Sequence, residues 1–119
     1  LFGTPYIPNF KNSILIFEDV DEEPYRVDRY LSQFLNSGTF SQIKGMIIAS
    51  MTDCGPTERT QPTLSLDEVL NDYIKYIKVP ILKNLIYGHI PRKNTIPFGI
   101  KANIDTKTKK IKILENCVI

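Results

Sequence analysis

The rhythm of apolar and polar positions changes several times along the chain. Ser13-Ile14-Leu15-Ile16-Phe17 is a short apolar run between polar Lys11-Asn12 and Glu18-Asp19. That pattern predicts a strand covered on both faces, as in a parallel sheet. Asp21-Glu22-Glu23-Pro24 sets acids and a proline where a helix would begin. Val27, Tyr30, Leu31, Phe34 and Leu35 then recur at helical spacing, and Gly38 is a natural stop. Gly45-Met46-Ile47-Ile48-Ala49 predicts a second buried strand, and residues 51–63 form a loop rich in Thr, Pro and Gly. Ser65 followed by Glu68 is a capping box, opening a helix that buries Val69, Leu70, Tyr73, Ile74 and Ile77. Val79-Pro80-Ile81-Leu82 is a short third strand, and Gly88-His89 opens a loop closed by Pro97 and Gly99. Strict alternation follows: Ile100, Ala102 and Ile104 against Lys101, Asn103 and Asp105, then Ile111 and Ile113 against Lys110 and Lys112. Joined by the turn Asp105 to Lys109, these predict an antiparallel hairpin with one wet face.

The fold class is therefore α/β: a short parallel sheet with right-handed crossover helices, plus a C-terminal antiparallel hairpin. Its 119 residues fit one domain, 1–119. In such sheets functional groups gather beyond the carboxyl ends of the strands. Three polar segments are expected at that edge: Glu18-Asp19, Thr52-Asp53-Cys54 and Gly88-His89.

Composition narrows the partners. The formal net charge of +2 is too small to argue for nucleic acid, and the basic stretch Lys101 to Lys112 reads as the wet face of the hairpin. No apolar run approaches the roughly 20 residues of a membrane span, so no membrane association is expected. Cys54 and Cys117 make neither a disulfide framework nor a zinc pattern, and a reducing cytoplasm is the default location. The chain starts at Leu1 without Met and reads as a piece of a longer polypeptide.

His89 is the only histidine. Taken alone it reads as structural or solvated, but its place in a Gly-His loop at the functional edge makes it a candidate. Glu18 ends an apolar run, so its carboxylate should be partly buried and in need of a partner. It either caps the next turn or orients the imidazole, which would be two-thirds of a charge-relay site. None of the serines at 13, 32, 37, 41, 50 and 65 stands in a Gly-x-Ser elbow. Ser50, at the end of the second strand, is the best placed. Cys54 is a rival nucleophile, but no basic group adjoins it to lower its pKa. A metal site from Glu18, Asp53, Cys54 and His89 would mix hard and soft ligands without compact spacing; no metal and no cofactor is expected.

The order of segments resembles the C-terminal domain of the LD-carboxypeptidase (muramoyl-tetrapeptide carboxypeptidase) family of serine peptidases. The likeness rests on Gly3-Thr4-Pro5-Tyr6, Ile14 to Val20, Glu23 to Arg29, Phe40 to Ala49, Thr52-Asp53-Cys54, Leu64 to Leu70, Gly88-His89 and Thr95 to Gly99. It covers nearly the whole chain. The resemblance implies a swivelling β/β/α-type domain and a Ser-Glu-His triad whose Glu and His are Glu18 and His89. The serine would stand on an N-terminal domain that this chain lacks. It also implies hydrolysis of the L,D bond before the terminal D-alanine of murein tetrapeptides in cell-wall recycling. Microcin-immunity peptidases, which cleave peptidyl-nucleotide conjugates, share the scaffold, and a non-catalytic binding module is the alternative from another class. The implied partners are the N-terminal catalytic domain and a murein peptide. Alone, the chain should be inactive and expose apolar surface around Leu1, Phe2 and Tyr6, with homodimer formation a natural outcome.

Overall fold

The computed structural model describes residues 1–57 and 62–118. Part of the expected 51–63 loop, residues 58–61, lies outside them. The apolar runs become β1 (Ile14–Val20), β2 (Gly45–Thr52) and β3 (Ile81–Lys83), paired in parallel in the order β1-β2-β3. The stretches between them supply α1 (Pro24–Asn36), α2 (Thr39–Gln42) and α3 (Leu66–Ile74). The alternating tail becomes β4 (Ala102–Asp105) and β5 (Lys110–Ile113), an antiparallel pair separate from the main sheet.

Local chemistry explains where the helices begin and end. Pro24 takes the first turn of α1, where its missing N–H costs nothing, and Gly38, at φ 73°, follows the last turn. The Ser65 hydroxyl accepts from the Glu68 N–H while the Glu68 carboxylate accepts from the Ser65 N–H, so the capping box forms as expected. α3 is shorter than its apolar pattern suggests. It stops at Ile74, and Ile77 reaches the core through a turn in which its N–H donates to the Ile74 carbonyl.

Strand alternation divides the sheet into two faces. Leu15, Phe17, Met46 and Ile48 pack with Val27 and Leu31 of α1 and Val69 and Leu70 of α3. Each such side chain, when fully buried, contributes about 1.5–3 kcal/mol. The Tyr73 hydroxyl donates to Asp28 Oδ1 at 2.7 Å, clamping α3 to α1. On the other face, Ile16 and Ile47 look across to Ile111 and Ile113 of the hairpin. The hairpin comes down closely: a Cβ at Gly45 would lie 2.5 Å from Ile104 Cδ1. The result is three layers, hairpin on sheet on helices, as the β/β/α expectation has it.

Further details depart from the sequence reading, beginning with β3, which starts at Ile81 and not at Val79. β1 and β2 run further than their apolar runs, through Val20 and Thr52, because pairing resumes after a bulge: Phe17 pairs with Ile48, but Asp19 pairs with Met51. Thr39 to Gln42 adds a helical turn beyond Gly38. Leu1 and Tyr6 are exposed, whereas Phe2 meets Phe34 edge-on at 5.3 Å and is half-buried.

Candidate active site

The same alternation that builds the sheet separates the two acids at the end of β1. Ile14 and Ile16 lie on the hairpin face, and Glu18 continues that row. Asp19 points the other way and accepts a hydrogen bond of 2.8 Å from the Tyr30 hydroxyl of α1. Burial, reinforced by this bond and the Asp19 charge, pushes the Tyr30 hydroxyl pKa far up, so it remains a donor. Asp19 is thus committed to α1, and Glu18 is the acid left for the opposite face.

The bulge aims the loop that carries His89. Two residues of β2, Ala49 and Ser50, stand opposite Glu18 alone. Such an insertion re-aims groups beside a strand. Here the Ser50 N–H donates to the Tyr87 carbonyl at 3.1 Å, and the Asn94 N–H donates to the Ile86 carbonyl at 2.9 Å. These bonds tie both ends of the 87–93 loop. Between them Gly88 is buried with φ 122°, a conformation that favours glycine.

His89 Nδ1 lies 3.1 Å from Glu18 Oε2, across 71 residues of sequence. The Glu18 side chain is 24% exposed and that of His89 61%, so the carboxylate is the held partner and the imidazole the open one. With its proton on Nδ1 the ring donates to Glu18, and Nε2 faces no hydrogen-bonding partner among the described residues. The pair opens on a cleft of about 410 Å³ whose further polar lining includes Lys93, Asn94 and Thr95. Sequence reading used Thr95 only in the family likeness and did not single out Lys93 or Asn94; the only signal for them was the polar run Arg92 to Thr95.

None of the other candidates makes a side-chain hydrogen bond to the pair. Ser50 touches the site through its backbone, not through a hydrogen bond of its hydroxyl. Cys54 is buried, and its thiol donates to the Thr52 carbonyl at 3.3 Å. Burial pushes the thiol pKa up against the pull of a backbone hydrogen bond at Glu22, and the charges of Asp19, Glu22 and Asp21 add to the rise. That is the reverse of nucleophile activation. Asp53 is exposed, in a left-handed conformation at φ 54°. No group of three or more His, Cys, Asp or Glu is gathered to hold a metal ion among the described residues, and no described helix is long and apolar enough to cross a membrane.

Comparison with known proteins gives the family of the chain. The profile of the LD-carboxypeptidase C-terminal domain matches residues 1–104. A Bacillus subtilis protein named "Probable murein peptide carboxypeptidase" is 36% identical over 107 residues, 90% of this chain and 33% of that protein. The crystal structure of muramoyltetrapeptide carboxypeptidase from Oxalobacter formigenes superposes with a TM-score of 0.79 at 29% identity, covering 92% of this chain and 38% of that one. The Microcin C7 self-immunity protein MccF of Escherichia coli is 27% identical over 118 residues, 97% of this chain and 33% of that protein. The chain spans about a third of the length of the curated relatives it matches. With the profile matched over nearly its whole length and the layered fold shared, the chain belongs to the LD-carboxypeptidase C-terminal domain family.

Proposed function

We propose that this chain is the C-terminal domain of a serine-type LD-carboxypeptidase and supplies Glu18 and His89 to its triad. The observation that carries the reading is the contact of His89 Nδ1 with Glu18 Oε2 at 3.1 Å. It fixes one ring nitrogen on a carboxylate and leaves the other to move protons, the arrangement a hydroxyl nucleophile requires. The serine and the N–H groups that stabilise the oxyanion belong to an N-terminal domain.

The serine oxygen attacks the carbonyl of the L,D bond and passes its proton to His89 Nε2. Glu18 stabilises the imidazolium through the Nδ1–H bond. His89 then gives that proton to the departing amine of D-alanine, and water repeats the sequence to release the acyl group. Murein tetrapeptides are the substrate class, as the names of the Bacillus and Oxalobacter relatives suggest, and the setting is cytoplasmic cell-wall recycling. Without the serine the chain alone turns over nothing, because members of a catalytic unit act together.

The test is D-alanine release from a murein tetrapeptide by the full-length gene product. The unaltered protein is expected to turn over, and His89→Ala to lose about 10⁶-fold in kcat. A protein inactive on the tetrapeptide that instead cleaves a peptidyl-nucleotide conjugate would shift the assignment to the microcin-immunity branch represented by MccF. No turnover of either would favour a binding module.

A further inference from the structure

Building on the proposed carboxypeptidase reading, we infer that Lys93 is the specificity residue that binds the C-terminal carboxylate of the substrate. The cleft at the Glu18–His89 pair is lined by one carboxylate, Glu18, one imidazole, His89, and one ammonium, Lys93. Glu18 beside a neutral imidazole leaves one negative charge there. A peptide ending in a free carboxylate brings a second, and like charges at close quarters repel. A cation at this point would offset that repulsion, and Lys93 is the cation that lines the cleft. Its ammonium makes no ion pair or hydrogen bond with another described residue.

Reach supports the same assignment. His89 protonates the leaving amine, and the carboxyl carbon of the departing residue is two bonds away, about 2.5 Å from that nitrogen. The carboxylate must lie in the cleft that holds His89. The segment bearing Lys93 is tied in place, since the Asn94 N–H donates to the Ile86 carbonyl at 2.9 Å. Lys93 itself is exposed, so replacing it leaves the core untouched. An ammonium–carboxylate contact is present in both the bound substrate and the transition state. It therefore acts chiefly on KM and leaves kcat nearly constant.

The experiment compares the full-length protein with its Lys93→Gln and Lys93→Arg variants on a murein tetrapeptide ending in D-alanine and on the same peptide ending in D-alanine amide. The unaltered protein is expected to prefer the acid by about 10- to 100-fold in kcat/KM, the range of a charge-assisted hydrogen bond. Lys93→Gln should lose that factor on the acid through KM, with kcat little changed, so that acid and amide become nearly equal. Lys93→Arg should keep the preference. An unchanged acid-to-amide ratio in Lys93→Gln overturns the assignment of Lys93 while leaving the carboxypeptidase reading intact. No turnover of either peptide by the unaltered protein overturns both.

Discussion

The Glu18 carboxylate occupies the space into which a side chain at Gly88 would project. A Cβ built there falls 2.7 Å from Glu18 Oε2 and 3.4 Å from Ser50 Cβ. Glycine thus lets the acid lie against the backbone of the loop whose next residue it holds. Gly88→Ala would both strain a φ of 122° and displace the carboxylate. Misplacement on the 1 Å scale is worth about 100-fold in rate, so kcat should fall by about that factor in the full-length protein. Nitrogen-15 NMR of the His89 ring would show the Nδ1–H bond weakened. Full activity in Gly88→Ala would show that the close approach is dispensable.

Cys54 and Cys117 should react differently with alkylating agents. Cys54 is buried with a raised pKa, whereas Cys117 is exposed. At neutral pH a thiol-specific reagent should label Cys117 first, by mass spectrometry of peptides. Labelling of Cys54 should accelerate only as pH rises past the ordinary thiol value or as the protein unfolds. Rapid labelling of Cys54 in the folded state would revive it as a nucleophile.

How far such features were legible in the sequence depends on how local they are. The Ser65–Glu68 cap, the Pro24 start of α1 and the β4–β5 alternation are written within a few residues and form as read. The pairing of Glu18 with His89 was legible through topology, since parallel strands deliver their ends to one edge. The bulge at Ala49-Ser50 was not, because the strand register and the bond from Ser50 to the Tyr87 carbonyl join positions far apart in sequence. Nor was the half-burial of Phe2, which depends on Phe10 and Phe34 meeting it in space.

Acid stability should report the α3 cap. Hydrogen bonds from Ser65 hold the Glu68 carboxyl below its ordinary value of 4.5. The folded state therefore binds that proton less readily than the unfolded chain. The stabilisation is present above the unfolded value and is lost as pH falls through the lowered folded value. Ser65→Ala removes the larger cause, the hydroxyl bond, and leaves the bond from the backbone N–H, so the variant should lose less stability than the unaltered chain between about pH 6 and about pH 3. Urea unfolding midpoints across that range measure the difference. Parallel pH profiles would show that the cap does not titrate with folding.

The central claim is that Glu18 and His89 act as one unit, and a double-mutant cycle in the full-length protein tests it most directly. Murein tetrapeptide turnover is measured for Glu18→Ala, His89→Ala and the double variant. Because Glu18 works only through the imidazole it holds, the double variant should be no slower than His89→Ala alone, with Glu18→Ala costing about 10²- to 10⁴-fold by itself. Losses that multiply independently, or a Glu18→Ala protein as active as the unaltered one, would contradict the account.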